Sequence, residues 1–443
     1  MIFVSCFFLL ICYHYGQQFI IGGNYLKRML KLKRYLKEFG NFSSNGRSFL
    51  GYIILNFISL GAIQVILGLY ILELGFAEDF FGLVAGTRML ATGLLAIPAG
   101  ILIDRVGAKK LLLVSALLAG VSVIIQGLTV NKFVILISSF IYGSAFAILF
   151  VMIGPFLSNN STDQEREELF SVNFLSMTTA KIVGSLLVGF LPALFVKVLM
   201  VGEVSKLLSY KFILLTLGIL SLMSIIPISY IKEIDSIKIN SQDKGFGVIA
   251  GMKEEIIGKL SLYQFLIGAG GGLIVPFFSI FLVNKLGASA GQAGVIMFLY
   301  QMIRAIALLL TPLLIKKLGK VRSVGVVQAT SLPFLLAIVL VPNFAIASVA
   351  LLLRGALMSI SLPITSDFAM EITSTSQHTV TSSLMRTSKS IAKSSSSVVA
   401  GWLVSNYGYS LTYFLTFFIY LGGTVLFVKS FLNVESQKLK YST

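Results

Sequence analysis

The amino-acid sequence predicts an all-α polytopic membrane protein, with twelve transmembrane helices in two pseudo-symmetric six-helix halves. Three observations lead there. Apolar residues make up 56% of the 443 and charged residues 12%, about half the charged share of a globular chain. With 35 Phe, 40 Gly and a mean hydropathy of +0.92, too few polar side chains remain to coat a water-exposed surface, which excludes a cytosolic enzyme and a disordered chain alike. Apolar runs of about 20 residues or more, the length needed to cross a hydrocarbon core roughly 30 Å thick, recur twelve times. Finally, the two halves of the chain match weakly at a constant offset of 212 residues.

Taken in order, the spans are 49–72, 80–103, 111–130, 133–157, 170–195 and 209–231, then 260–283, 290–315, 323–341, 344–370, 380–404 and 409–432. Each is a continuous apolar run, whereas a transmembrane β-barrel shows alternating segments of about ten residues. The chain therefore divides into an N-terminal tail (1–48), a first half (49–231), a hydrophilic linker (232–259), a second half (260–432) and a C-terminal tail (433–443). The repeat pairs Leu74-Gly75 with Leu286-Gly287, Gly82 with Gly294, Leu102-Ile103 with Leu314-Ile315, and Gly107 with Gly319. It continues with Gly143 and Gly355, Ser176 and Ser388, Ala180-Lys181 and Ala392-Lys393, and Gly189 and Gly401. Isolated glycine matches arise by chance in so Gly-rich a chain; a single register held through five spans does not. Repeats of this kind place the substrate between the halves near mid-membrane.

The formal charge of +17 calls for nucleic acid or for membrane topology, and a chain with almost no water-exposed module excludes the former. Lys and Arg mark the cytoplasmic side of a membrane protein. Twenty-three fall in the tail before the first span, the even-numbered connections and the C-terminus; the opposite side has five, Lys132, Lys197, Lys206, Lys211 and Lys285. Both termini are thus expected in the cytoplasm, with the protein a monomer in the cell membrane. Cys6 and Cys12 are the two cysteines, and His14 and His378 the two histidines, so neither a disulfide framework nor a metal site is expected, and no cofactor. Residues 1–25 fit neither a span nor a signal peptide with a basic start. Gly22-Gly23 can be encoded as a ribosome-binding sequence and Leu26 as a TTG initiator, which predicts a start at Leu26. N-terminal sequencing of the mature protein checks this, and a peptide containing Cys6 would refute it.

The connection after the second span reads Gly100-Ile101-Leu102-Ile103-Asp104-Arg105-Val106-Gly107-Ala108-Lys109-Lys110. It resembles the G-x-L-x-D-R-x-G-R-K signature that the major facilitator superfamily carries between helices 2 and 3, with Ala108 in place of the usual second Arg. A degenerate copy, 312–322, follows the eighth span, with Lys316 where the Asp would stand. The resemblance covers about 49–432 and implies that superfamily's fold and alternating access. It implies, too, that Gly100, Asp104, Arg105, Gly107, Lys109 and Lys110 form a gate, the Asp linked to the cytoplasmic start of helix 11 and stabilising the outward-facing state. The residues themselves support a tight turn and close packing at the glycines and an ionic lock at Asp104.

Seven cations lie inside spans: Arg88, Lys181, Arg304, Arg354, Arg386, Lys389 and Lys393. Each costs about 2.5 to 3.5 kcal/mol at mid-membrane unless hydrated or paired, and the acids within spans, Glu73 and Asp367, are too few to pair them. A watery cavity or an anionic ligand is required. Lys181 and Lys393 are repeat equivalents at mid-span, on helices that border the central cavity in the resembled family. Arg386, Lys389 with Ser390, Lys393, and Ser396 with Ser397 form one polar stripe on helix 11. Arg304 and Arg354 lie midway along helices 8 and 10, with Tyr300, Gln301, Ser361 and Thr365 on compatible faces. Arg88, Arg386 and Lys389 sit nearer helix ends and read as structural.

The expected function is therefore secondary transport of a small anionic or zwitterionic organic solute, with a coupling proton or a counter-substrate. Proton-coupled multidrug efflux is an alternative, although Gly184 to Gly189 keeps only the outer glycines of the G-P-x-x-G-G pattern of such pumps and Ser139 stands where they carry an Arg. A lipid flippase is another. Neither a catalytic His, nor paired mid-span carboxylates, nor a G-x-S-x-G elbow is present, so no enzyme is expected.

Overall fold

The computed structural model describes residues 42–199, 205–232, 255–374 and 377–441. Among these, twelve helical stretches follow the predicted spans. In the first half, α1 is Ser44–Glu73, α2 joins Glu78–Leu94 to Ala96–Val106, α3 is Ala108–Leu128, α4 is Lys132–Asn159, α5 is Asp163–Leu199, and α6 joins Lys206–Met223 to Ile225–Ser229. In the second, α7 starts as Glu255–Ile274 and continues through Val275–Phe277, Phe278–Ile280 and Phe281–Lys285. There follow α8 (Ala290–Ala307, Leu308–Leu310 and Thr311–Leu318), α9 (Lys320–Leu340), α10 (Phe344–Ile372), α11 (His378–Tyr407) and α12 (Tyr409–Tyr441). Ten are long and apolar enough to cross a membrane, and α2, bent by 42°, makes an eleventh. The polar stripe of α11 keeps it outside that set, although it is an unbroken helix of 30 residues. The predicted start at Leu26, the tail cations Lys27 to Lys37 and the linker cations Lys238, Lys244 and Lys253 lie outside the described residues.

Prolines account for the bends. Pro98, Pro227, Pro276 and Pro312 lack the N–H that would bond to the carbonyls of Leu94, Met223, Gly272 and Leu308, and the helix is interrupted within three residues of each. Turns follow the repeat. Gly75 and Gly287 end α1 and α7 at φ 85° and 69°, and Gly107 and Gly319 end α2 and α8 at φ 92° and 78°, a region that favours glycine. Asn131 and Asn343, also 212 residues apart, cap α4 and α10 by accepting from the backbone N–H groups of the first turn.

Helix packing repeats as well. The first half pairs α1 with α5 and α6, α3 with α4 and α6, and α2 with α4; the second pairs α7 with α11 and α12, α9 with α10 and α12, and α8 with α10. Small residues permit the closest of these contacts, as expected where lipid supplies no hydrophobic drive between helices. The α1 backbone at Gly61 runs against that of α5 at Lys181, and α7 at Gly272 against α11 at Lys393. One buried polar cluster ties α7, α9 and α12 together: Gln328 Nε2 donates to Tyr263 Oη at 2.6 Å, and Thr424 Oγ1 donates to Gln328 Oε1 at 3.0 Å. Phe133, Ile137 and Phe190 point outward, fully compatible with a lipid-facing surface.

Candidate functional site

The halves meet along α2 with α11 and along α5 with α8. Ser394 Oγ donates to Gly86 O at 2.7 Å, Gly82 lies against Gly401, and Gly189 lies against Gly291. All these contacts are remote from the face that bears the start of α1 and the end of α12, here the terminal face. Toward that face the halves part: Ala96–Val106 of α2 makes no substantial contact with α11, nor does Thr311–Leu318 of α8 with α5. Phe174, on the terminal-face half of α5, is exposed.

Between the halves lies a cavity of about 770 Å³. Four cations line it, one each from α2, α5, α8 and α11: Arg88, Lys181, Arg304 and Lys393. No Asp or Glu is among the lining residues. The Arg304 guanidinium is held on three sides: Nε donates to Ser359 Oγ at 2.7 Å, Nη1 donates to Gln301 Oε1 at 3.2 Å, and the group stands 5.2 Å from the Tyr300 ring centroid. Lys181 Nζ lies 5.0 Å from the Phe57 ring centroid, and Lys181 shares the cavity wall with Arg304 and Lys393. Such face-on ring contacts steady a cation without consuming its N–H donors. Phe81, Phe146, Phe150 and Phe174 give the remaining wall an aromatic character.

Of the sequence-predicted residues, Lys181, Lys393, Arg304, Tyr300 and Gln301 are thus brought together. Arg354 is not. It is 2% exposed, outside the cavity wall, with its guanidinium 5.2 Å from the Tyr420 ring centroid; the half-turn of α10 that carries it faces α12 rather than the opening. Ser361 and Thr365 are likewise buried in helix packing, Ser361 receiving a bond from Gln328 Nε2 at 3.3 Å and Thr365 Oγ1 donating to Ser361 O at 3.0 Å. Arg386 is exposed near the terminal face, and Lys389 lies outside the cavity wall, its backbone against Gly268 of α7.

Arg88, read from the sequence as structural, also reaches the cavity. Its guanidinium lies 4.3 Å from the Tyr142 ring centroid, with Nε and Nη2 buried, and the residue forms part of the cavity wall. The signal for it was in the repeat: Arg88 corresponds to Tyr300 and Tyr142 to Arg354, so the two halves carry the same Arg and Tyr with their places exchanged. In the first half the Arg falls on the helix that faces the cavity, and in the second it falls behind.

The signature loop is partly as expected. Gly107 makes the turn, Arg105 and Lys110 are exposed, and Lys109 Nζ donates to Ser229 O at 3.1 Å, tying α3 to the end of α6. A Cβ on Gly100 would meet Val151 of α4 at 3.8 Å, an ordinary van der Waals contact. The Asp104 side chain lies outside the described residues. In the degenerate copy, Glu435 of α12 accepts from Lys320 N at 2.5 Å and Val321 N at 3.1 Å, capping α9. Lys320 Nζ pairs with Asp367 at 2.6 Å and Glu371 at 2.5 Å. Asp367 is therefore engaged at the terminal face and neutralises none of the cavity cations.

Solved structures share this architecture. The nucleoside transporter NupG superposes with a TM-score of 0.74 at 14% identity, covering 88% of this chain and 99% of that one. A bacterial homolog of the human lysosomal transporter Spinster, in an inward-facing and unoccupied conformation, gives 0.72 at 14% identity, covering 87% and 95%. The human organic anion transporter MFSD10 gives 0.57 at 14% identity, covering 87% and 99%. At these identities the likeness is one of fold. The comparison with curated protein sequences finds no match. The family model described as Major Facilitator Superfamily matches residues 49–250 and 260–441, nearly the whole membrane body. With its two equivalent halves around a central cavity, the chain belongs to the major facilitator superfamily, a family of multi-pass membrane transporters of small solutes and not of enzymes.

Proposed function

We propose that this protein moves a small organic anion across the cell membrane by alternating access, binding it in the cavity between the halves. The observation that carries this reading is the wall itself, four cations from four helices and no carboxylate. Four charges facing one space repel one another unless water or a counter-ion intervenes, and an anion that displaces that water gains charge-assisted hydrogen bonds from both halves. A zwitterion is less well served, since no lining carboxylate waits for its ammonium group. The phenylalanines suit an apolar or aromatic carbon skeleton. With the terminal face assigned to the cytoplasm by the Lys and Arg distribution, the open cavity corresponds to an inward-facing state of a monomeric carrier.

The test is thermal unfolding of the purified protein with a panel of carboxylates, organic phosphates, amino acids and cationic dyes. Binding to the folded state alone stabilises by about 2.7 kcal/mol at a hundred times Kd, so a substrate-like anion raises the melting temperature of the wild type. Lys181→Ala combined with Lys393→Ala is expected to remove that gain. Stabilisation by cationic dyes, unchanged in the double variant, would instead favour drug efflux, and lipid scrambling in proteoliposomes without solute transport would favour a flippase.

A further inference from the structure

Arg354 holds a charge that no acid in its half balances. Its side chain is 2% exposed, it lies outside the cavity wall, and its Nε and Nη2 groups have no hydrogen-bond acceptor. A buried lysine can shed its proton; a guanidinium cannot, so the positive charge persists however deep it lies. Among the described residues, the acids of α7 to α12 are Glu255, Asp367, Glu371 and Glu435, all toward the terminal face. Asp367, on the same helix as Arg354, is thirteen residues on, about 20 Å along the axis, and is engaged with Glu371 by Lys320. Glu255 pairs with Lys259, and Glu435 caps α9. The Tyr420 ring, 5.2 Å from the guanidinium, attracts the charge but supplies no counter-ion.

The surroundings are tight and rich in phenol hydroxyls. Tyr413 and Tyr420, seven residues apart and so on one face of α12, are both buried, and the Tyr420 ring lies on Gly270 of α7, where a Cβ would come within 3.0 Å of it. On the cavity side stands Tyr300, whose ring lies so close to Gly355 of α10 that a Cβ there would overlap it. The same ring borders Arg304 in the cavity wall. Between α10 and α12 there is little direct backbone contact, and the Arg354 side chain bridges them. We propose that Arg354 binds a chloride ion inside the second half, with Tyr300 on the cavity side and Tyr413 and Tyr420 beside it, and that this ion ties α10 to α12. Water would accept the N–H groups but leave the charge uncompensated. A carboxylate or a phosphate ester brings a skeleton that such packing does not admit, whereas a single-atom anion brings none. The site is separate from the cavity proposed for the transported anion.

Chloride dependence of stability tests this on the full chain. As chloride replaces gluconate at constant ionic strength, the melting temperature of the wild type is expected to rise by a few degrees and then level off, as binding at one site of the folded state requires. Arg354→Met, which fills a similar volume without a charge, is expected to lose that rise. A flat wild-type response, or a rise that persists in Arg354→Met, overturns the site. If Arg354→Met does not fold, wild-type crystals grown in bromide decide, since anomalous scattering locates the halide. A bromide peak within hydrogen-bonding distance of Arg354 Nε or Nη2 supports the site, and the absence of a peak there overturns it. Neither readout depends on whether carboxylates or organic phosphates stabilise the protein, so the two proposals fail separately.

Discussion

Arg304→Ala is expected to abolish stabilisation by anions in thermal unfolding, and Arg304→Lys to recover little of it. Arg304 is the one lining cation whose guanidinium is fixed by two side-chain hydrogen bonds, to Ser359 and Gln301, and by the Tyr300 ring beneath it. Those partners take Nε and one hydrogen of Nη1 and leave the Nη2 donors, which belong to both edges of the fork, for a ligand. Hydrogen bonds to charged groups contribute about 1.5 to 3 kcal/mol, so losing one weakens binding roughly ten- to hundredfold. A lysine keeps the charge but has neither the fork nor a geometry that Ser359 and Gln301 can hold. Ser359→Ala, which frees the guanidinium without removing it, should weaken binding by a smaller factor. Titration of the panel's best anion against all three variants checks the order, and equal loss in Arg304→Lys and Ser359→Ala would sink the idea that the fork is the recognising element.

The largest effect on folding is expected from Gly184→Ala. A Cβ there would lie 2.0 Å from Ile58 O and 2.9 Å from Ala62 N, atoms of the α1 backbone that cannot turn aside as a side chain can. Overpacking costs about 1 to 3 kcal/mol and occasionally more, and a backbone-to-backbone clash belongs at the upper end. Gly154→Ala is the control, since a Cβ there meets nothing within 4 Å and alanine is the better helix former by about 1 kcal/mol. Folded yield in detergent and the melting temperature should fall sharply for the first and hold or rise for the second. The first substitution also reaches function, because Lys181 lies within a turn of Gly184 and its backbone is in contact with Gly61; forcing α1 from α5 displaces the cation along with the helix.

Much of the architecture was legible because lipid imposes a blunt rule. Continuous apolar runs have few ways to be satisfied other than as helices, and the 212-residue register exposed the two halves before any contact was known. Bends were less legible, although Pro98, Pro227, Pro276 and Pro312 were in plain view: a proline inside an apolar run can be absorbed in a kinked helix, and only the missing bonds to Leu94, Met223, Gly272 and Leu308 show where the axis gives way. At the site, Lys181, Lys393 and Arg304 could be found from depth within a span. Arg88 and Arg354 could not be sorted that way, because depth says nothing of which side of a helix faces a cavity. The exchange of Arg and Tyr between Arg88 with Tyr142 and Tyr300 with Arg354 was the available clue, and it is invisible to a comparison that scores only identities.

Helix α11 has a consequence for how the protein is made. It carries Arg386, Lys389 and Lys393 in one helix with a long series of serines, and a cation as deep in the span as Lys393 costs about 2.5 to 3.5 kcal/mol in an isolated membrane helix. Such a segment does not leave the translocon for lipid alone. Its natural shelter is synthesised before it: α7, where Gly268 and Gly272 receive the backbone of Lys389 and Lys393, and α2, where Gly82 and Gly86 receive that of Ser397 and Ser394. The penultimate helix thus depends for its place in the membrane on partners that precede it in the chain, α2 and α7.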